Sequence, residues 1–284
     1  MATMNLHLTY IIFYFLNLNE QIFIFVIFID KMKFVIPSFQ RPQGLLNKTL
    51  KYLDVMNVDR SDVYVFVRED DKFLPEYQSI VAINLVPIDI KGIGATHNYI
   101  TEHFDEGEFI VEIDDDLEYI VDQERKPIES FLGLCQEMKE KMEFTGCSYG
   151  GTYSVCNPMF MSKCEHFTTD LRYMLGCLRF RFVRKDIKLE TNFSEDFENC
   201  ILHFLRDGKI LKNNWVSCKT KNYSDGGCDA DGRGFESEKK DKEHLAKKYF
   251  MYCRIFQRKN GRWDLRLKEY ASGPNMSNPE DKKL

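Results

Sequence analysis

The sequence has no CxxC pair, although it contains nine cysteines among its 284 residues. The odd number and irregular spacing of these cysteines argue against a disulfide framework and against the common zinc-site patterns, and favour reduced thiols. We therefore expect an intracellular, reducing location, either cytoplasmic or nuclear. The net charge of -5 also lacks the positive excess that is typical of a dedicated nucleic-acid-binding domain.

Apolar runs long enough to cross a bilayer are missing as well. Residues 10–16 and 22–29 are apolar, but each run is shorter than the roughly 20 residues of a membrane-spanning helix, and Glu20 lies between them. The sequence also lacks a basic segment followed by a small-residue cleavage site, so it does not indicate a secretory signal. We expect no stable membrane association. We interpret residues 1–31 as a non-native or disordered extension, with Met32 as the native start, and residues 271–284 as a disordered polar tail.

Charge is distributed unevenly along the chain. Residues 102–143 include 15 acidic and 4 basic side chains, a net of −11, whereas residues 206–268 include 17 basic and 9 acidic side chains, a net of +8. The basic stretch is either an ordinary lysine-rich surface or a face for the phosphates of a donor or of a nucleic acid.

The most informative stretch is an apolar run, Phe109–Ile113, followed at once by Asp114, Asp115 and Asp116. A buried strand that ends in acids places those acids at the edge of a sheet where α/β proteins bind ligands. Strand alternation predicts that Asp114 and Asp116 face one side and that Asp115 faces the other, in a structural role. Two neighbouring carboxylates favour a cation, and oxygen ligands suit Mg²⁺ or Mn²⁺, which in turn suit a diphosphate. The alternative is a solvated acidic turn.

Strand-like runs alternate with helical patterns along the chain, which predicts an α/β protein with a layered, mainly parallel sheet. The first four strands are predicted at residues 34–36, 63–67, 80–86 and 109–113. A later strand at residues 178–183 alternates, so that Arg179 and Arg181 face opposite to Phe180 and Phe182. Residues 252–257 are predicted as the last strand.

Two helix starts carry polar residues. Residues 91–100 lead through Gly92 and Gly94 into a helix, and such a start attracts anions, although a simple loop-to-helix connection explains it equally. No full GxGxxG motif is present. Ser194 is a good N-cap, with Glu195 and Asp196 in the first turn, and ordinary capping is the alternative there.

In this order, the pieces resemble a GT-A type nucleotide-sugar glycosyltransferase. The resemblance rests on the strand and loop at residues 34–41, the small-residue helix start at 92–98, the DxD at 114–116 and the acidic helix start at 194–196. More narrowly, the chain is similar to the glycosyltransferases associated with TET-type DNA dioxygenases, which include the base J glucosyltransferase. This resemblance implies a single-domain α/β fold of GT-A (Rossmann-like) type over residues 32–270, with a mixed sheet and helices on both faces.

The resemblance also implies roles for individual residues. Pro37, Ser38 and Arg41 would line the nucleotide pocket. The donor diphosphate would lie along Lys91, Gly94, His97, Asn98 and Arg233. Asp116 would hold the metal, Asp114 would contact the ribose or a metal-bound water, and His244 would be a late metal ligand. Asp196 would be the general base, with Glu195 as the fallback. His97 departs from the family pattern, in which an arginine precedes the asparagine.

The function implied is a metal-dependent, inverting glycosyltransferase that uses Mn²⁺ or Mg²⁺. It would transfer a sugar, with UDP-glucose as the expected donor, to hydroxymethylcytosine or hydroxymethyluracil in DNA. The alternatives are a protein or glycan acceptor, and a catalytically inactive binding module of the same fold. A viral origin is compatible with this resemblance.

Overall fold

A computed structural model describes residues 10–18, 21–29, 31–220 and 226–268. Near the amino terminus, β1 (Tyr10–Leu18) and β2 (Gln21–Ile29) pair with each other as an antiparallel ladder. The predicted disordered tail at residues 271–284 lies outside the described residues, as do residues 1–9.

The centre of the fold is a mixed sheet. Among the described residues it has nine strands: β3 (Lys33–Ser38), β4 (Val63–Arg68), β5 (Asn84–Ile88), β6 (Phe109–Ile113), β7 (Leu117–Asp122), β8 (Tyr149–Tyr153), β9 (Phe167–Thr168), β10 (Leu178–Phe182) and β11 (Leu211–Thr220). Their order in the sheet is β5-β4-β3-β6-β10-β8-β11-β7, with β9 paired to β11. The strands β3 to β6 run parallel, and β10 lies antiparallel to β6.

Helices connect and cover these strands, and a small hairpin follows the last helix. The helical segments are α1 (Pro42–Gly44), which continues through a π-helical stretch (Leu45–Leu50) into α2 (Lys51–Val55), a 3-10 turn (Arg60–Asp62), α3 (Leu74–Gln78), α4 (Ile93–His103), α5 (Phe131–Thr145), α6 (Pro158–Met161), α7 (Glu195–Asp207), α8 (Gly227–Ala230) and α9 (Phe235–Lys248). The hairpin pairs β12 (Cys253–Gln257) with β13 (Trp263–Leu267). Within the described part of the chain, none of the helices has the length and apolar character needed to cross a membrane.

Alternation along β3 shows why both faces of the sheet are covered. Phe34 joins a buried cluster with Leu50 and Phe131, which belong to helical segments on one face. Val35, pointing the other way, joins a second buried cluster with Ile100 of α4. A strand that is apolar on both faces needs cover on both, so the predicted α/β fold with helices on both faces is confirmed.

Several element boundaries differ from the sequence interpretation. The third parallel strand begins at Asn84 rather than at residue 80, because residues 79–83 form turns in which Ala82 has a φ of 65°. Within the main sheet and the last hairpin, the strands β7, β9 and β13 were not predicted, since β7 and β13 carry charged residues and β9 has only two residues. The predicted strand at residues 252–257 is therefore followed by one more.

Candidate active site

A cavity of about 650 Å³ opens at the edge of the sheet where the parallel strands end. Ser38 at the end of β3, Arg68 at the end of β4 and Ile88 at the end of β5 all line it. Because β10 runs antiparallel to β6, its beginning reaches the same edge, where Leu178 pairs with Ile113. Residues just before β10 and at its beginning therefore lie beside the end of β6.

The three aspartates form the turn between β6 and β7, and all three line this cavity. Asp115 accepts hydrogen bonds from Ser38 Oγ at 2.6 Å and from Arg41 Nη1 at 3.2 Å. An Asp116 oxygen lies 3.6 Å from the same Arg41 nitrogen. The prediction that Asp115 faces away from the other two is wrong, because the strand ends at Ile113 and its alternation ends with it.

Negative charge is concentrated at this turn. Burial raises the pKa of Asp114 to about 7, and the neighbouring carboxylates contribute although Arg179 opposes them. Burial and Asp115 raise the pKa of Asp116 to about 6, against the influence of Arg41. A raised carboxyl pKa means that the charged form is under-stabilised, so the turn is suited to a cation.

A second pair of acids reaches the cavity from the first turn of α7. The Asp196 Oδ2 atom accepts hydrogen bonds from the Tyr173 hydroxyl at 2.9 Å and from the Gly176 amide at 3.3 Å. The Tyr173 ring stacks on Phe197, with ring centroids 4.2 Å apart. Burial and Asp196 raise the pKa of the adjacent Glu195 to about 8, and Arg179 opposes this shift.

A segment that includes α8 packs over the same cavity. Arg41 donates to the Gly226 carbonyl at 3.2 Å, and the Gly227 amide donates to the Phe39 carbonyl at 2.7 Å. Asp231, just after α8, forms an ion pair with Arg68 and accepts a hydrogen bond from the Gly92 amide at 2.9 Å. We name residues 226–233 the covering segment.

The helix start that was expected to attract an anion does so with a side chain of this protein. The anion at the amino end of α4 is the Asp231 carboxylate, held by the Gly92 amide. The Gly94 amide, two residues further along the same turn, donates to Asn192 Oδ1 at 3.1 Å. Two of the amides at this end of α4, those of Gly92 and Gly94, are therefore engaged by the covering segment and by the loop before α7.

The structure brings most of the predicted site residues together. Those that line the cavity are Pro37, Ser38, Arg41, Asp114, Asp116, Glu195, Asp196 and Arg233. Arg233 lies 3.7 Å from Asp229 within the covering segment.

Five other predicted residues lie elsewhere than the cavity wall. Lys91 is exposed, 3.7 Å from Asp70, and Gly94 packs against the backbone of Thr191. The Asn98 side chain bonds to the backbone of Leu189, and His97 is buried behind the acids. His244, on α9, is half exposed and bonds to Glu190 at 2.9 Å.

The structure changes the predicted set of metal ligands, because it separates His244 from the two aspartates. His244 is not brought to Asp114 and Asp116, because its face of α9 points to Glu190. Among the described residues, no three His, Cys, Asp or Glu side chains are arranged as a complete metal site.

Several polar cavity residues were not singled out as site residues from the sequence, and four of them take part in the contacts described here. These four are Arg68, Tyr173, Arg179 and Asp231. For Arg179 a signal did exist, because its strand places two arginines on one face. A buried strand face with two cations requires acidic partners, but the pattern does not say which.

Those partners form a buried charge cluster behind the cavity, which we name the Glu112 cluster. Its members are Glu112, His97, Arg179 and Arg181. Glu112 lies 3.1 Å from His97 Nδ1 and 3.6 Å from Arg179 Nη1, and it forms an ion pair with Arg181. Arg179 donates to His97 Nε2 at 2.8 Å, which leaves the imidazole proton on Nδ1, facing Glu112.

We expect this cluster to make the protein sensitive to acid. Burial and Arg179 lower the pKa of His97 to about 4, below its unfolded value of 6.5. A depressed pKa means that this part of the stability is present above pH 6.5 and is lost as the pH falls toward 4. Between pH 7.5 and pH 5, His97 alone should cost about 2 kcal/mol of unfolding free energy, measured by urea denaturation.

The matched comparison is His97→Gln, whose amide can accept from Arg179 and donate to Glu112 without titrating. This variant should show a shallower loss between pH 7.5 and pH 5 than the wild type. Equal slopes for the two proteins would mean that the pKa of His97 is the same in the folded and unfolded states, as for an exposed imidazole.

No family model matches the sequence, and no curated protein matches it. Solved structures do match. TarS residues 1–349 from S. aureus, crystallised with UDP-GlcNAc, aligns with a TM-score of 0.52 at 13% identity over 77% of this chain. The chain spans 66% of the length of that structure, which is less than two thirds.

Two mycobacterial structures cover more of the chain. The crystal structure of a mycobacterial protein aligns with a TM-score of 0.50 at 11% identity, over 85% of this chain and 86% of its own. Glucosyl-3-phosphoglycerate synthase from Mycobacterium tuberculosis, solved with Mn²⁺, UDP and glucosyl-3-phosphoglycerate, gives a TM-score of 0.48 at 11% identity, over 85% and 90%. At these identities, the likeness to the two structures with TM-scores of 0.52 and 0.50 shows the fold alone, which is an α/β fold of GT-A (Rossmann-like) type.

Proposed function

We propose that the chain is a glycosyltransferase that moves a sugar from a nucleotide donor to a hydroxyl group with inversion at the anomeric carbon. One observation carries the proposal: the DxD turn and the hydrogen-bonded Asp196 face a single cavity in a GT-A fold. The acid-rich turn suits the diphosphate side of a donor. Asp196 suits the acceptor side.

In this proposal Asp196 is the general base. The acceptor oxygen bonds to the anomeric carbon while the bond from that carbon to the diphosphate oxygen breaks, and its electron pair leaves with the diphosphate. The acceptor proton passes to the Asp196 carboxylate. Tyr173 and Gly176 both donate to Oδ2, which fixes the orientation of the carboxylate.

The residues at the turn fit a divalent cation. Asp115 accepts hydrogen bonds from Ser38 and Arg41, whereas Asp114 and Asp116 are buried carboxyl groups with raised pKa values, and Asp116 lies 3.6 Å from Arg41. Asp116, with Asp114 beside it, would hold Mn²⁺ or Mg²⁺. Mg²⁺ commonly uses one or two carboxylates together with substrate phosphates, so a complete protein cage is not needed. When bound, the cation supplies positive charge that offsets the charge on the leaving diphosphate.

The nucleotide of the donor would enter between the strand ends and the covering segment. Pro37, Ser38 and Arg41 form one wall, and Arg233 comes from the covering segment opposite. TarS is solved with UDP-GlcNAc, which supports a UDP-sugar donor. We propose UDP-glucose as the first donor to test.

The covering segment offers a test of donor binding with an internal control. Gly226 has a φ of 85°, and a Cβ built there would lie 2.7 Å from Arg41 Cγ. Gly226→Ala should therefore displace Arg41 or the segment and weaken UDP binding about tenfold or more, measured by calorimetry. Gly232 has a similar φ of 93° with nothing within 4 Å of the added Cβ, so Gly232→Ala carries similar strain without the collision.

Gly232→Ala should bind UDP within about threefold of the wild type. If the two variants weakened binding equally, backbone strain alone would explain the loss, and the contact with Arg41 would have no role in the pocket.

For the acceptor, we propose a hydroxymethylated pyrimidine in DNA, which carries a primary hydroxyl group. The resemblance to DNA-base glycosyltransferases supports this proposal. So do Arg258, Arg262 and Trp263, which line the cavity and belong to the basic stretch. An enzyme that modifies a base must take it out of the stack or act on a single strand.

The test incubates the protein and Mn²⁺ with UDP-glucose or UDP-GlcNAc and with hydroxymethylcytosine, hydroxymethyluracil or unmodified DNA. Nucleoside mass spectrometry should show a sugar added to a hydroxymethylated base and none on unmodified DNA. A sugar added to glycan or protein acceptors, with none on any DNA, would overturn the DNA proposal and leave the transferase. Neither transfer nor donor hydrolysis under any of these conditions would favour an inactive binding module.

A further inference from the structure

Arg179 links the Glu112 cluster to the acids of the cavity. Its side chain is 3% exposed, yet the residue lines the cavity. Behind it, Arg179 Nη1 lies 2.8 Å from His97 Nε2 and 3.6 Å from Glu112 Oε2. In front, its Nη2 lies 3.5 Å from Glu195 Oε1, in the first turn of α7. One rigid guanidinium therefore spans from the buried cluster to the turn that carries Asp196.

Arg181 is a close internal comparison. It lies two residues further along β10, on the same face, and it also forms an ion pair with Glu112. Its other contact is a hydrogen bond to Thr101 Oγ1 at 2.7 Å, on α4. Arg181 thus shares the buried partner of Arg179, but its contacts run to α4 and not to α7.

Gly176 shows how tightly Arg179 fits at the front of the cluster. A Cβ at residue 176 would lie 2.1 Å from Arg179 Nη2, so the guanidinium occupies the space of a side chain there. The Gly176 amide is also one of the two donors to Asp196 Oδ2. The position of Arg179 is therefore coupled by contact to a hydrogen bond that orients Asp196.

The net charge of the Glu112 cluster explains why the Arg179 guanidinium lies toward the acids of the cavity. His97 accepts from Arg179 and is neutral, so Glu112 is the anion shared between Arg179 and Arg181. Two cations and one anion leave one unit of positive charge on the buried side. That charge faces Glu195 and the other acids, and a buried cation is retained only where such partners are close.

We propose that Arg179 is a positioning residue that holds the Glu195–Asp196 turn of α7 in place, with Glu112 and His97 fixing its guanidinium from behind. The role of Asp196 as the base is part of the proposed function, and the inference rests on it. Arginine suits this task better than lysine, because its planar fork can contact two acids at once in fixed geometry, whereas an ammonium group is a single point charge.

The test compares Arg179→Lys with Arg181→Lys. Both variants keep the charge and both disturb the partner Glu112, so a loss of general stability should appear in both. Arg179→Lys should lower kcat by about 10- to 100-fold while the KM for the donor changes less than about twofold, since a misplaced reacting group costs rate rather than donor binding. Arg181→Lys should change neither value by more than about threefold.

A second measurement does not depend on activity. Hydrogen exchange at the Gly176 amide reports the bond to Asp196, because that amide donates to Oδ2. Its protection should fall about tenfold in Arg179→Lys and stay at the wild-type level in Arg181→Lys, with each value corrected for global stability.

The outcomes separate the two proposals. Equal kcat and equal Gly176 protection in the two variants would overturn the role of Arg179, whatever the substrate. If the wild type transferred no sugar to any acceptor, the proposed function would fail, and Gly176 exchange would still decide whether Arg179 positions this turn.

Discussion

Replacing Asp196 with asparagine should lower kcat for sugar transfer by about 10²- to 10⁴-fold, the range expected when a general base is removed. The amide keeps an oxygen that can accept from Tyr173 and Gly176, so the local hydrogen bonds survive. It cannot take the acceptor proton. Binding of UDP should stay within about twofold of the wild type, measured by calorimetry alongside steady-state transfer.

Glu195→Gln is the matched control for this prediction. Glu195 precedes Asp196 in the same helical turn and bears a carboxyl group that lines the same cavity, but its partner is Arg179. A larger loss in Glu195→Gln than in Asp196→Asn would transfer the role of base to Glu195.

Asp116→Asn should reduce metal-stimulated transfer by about 10³-fold, which corresponds to about 4 kcal/mol of barrier. The reason is that an amide oxygen is a weaker partner for a divalent cation than a carboxylate. Binding of Mn²⁺ in the presence of UDP should weaken in parallel, which electron paramagnetic resonance of free Mn²⁺ can follow.

Glu118→Gln supplies the control for Asp116→Asn. Glu118 lies two residues further on, in β7, and pairs with Lys48 at 3.4 Å outside the cavity wall. The Glu118→Gln substitution removes one negative charge from the same region, and transfer should stay within about threefold of the wild type. Undiminished Mn²⁺ stimulation in Asp116→Asn would place the metal elsewhere.

The sequence was informative where a function depends on residues that are adjacent in the chain. The apolar run that is followed by Asp114 predicted the end of a strand. The acidic residues after Ser194 predicted the start of a helix. Both are found as predicted, because strand and helix periodicity are local properties. The alternation of β10 also placed Arg179 and Phe180 on opposite faces correctly.

The partners of those residues could not be predicted. Which acid meets Arg179 depends on β10 lying antiparallel beside β6, and no local pattern encodes that pairing. The same is true of Asp231, which contacts Gly92 across 139 residues of chain. The place of His97 in a motif led to its prediction as a diphosphate-binding residue. Its environment, however, depends on residues of β6 and β10, namely Glu112 and Arg179.

The sequence separations within the cavity have a consequence for folding kinetics. Asp115 is 77 residues from Ser38, and Arg41 is 185 residues from Gly226, so the walls of the cavity meet only after distant segments have come together. Contacts of high sequence separation form slowly, because the entropy of closing the intervening loops is lost before they form. The acids at the end of β6 should therefore stay hydrated through most of folding, and their desolvation should belong to its last steps, after the parallel strands have assembled.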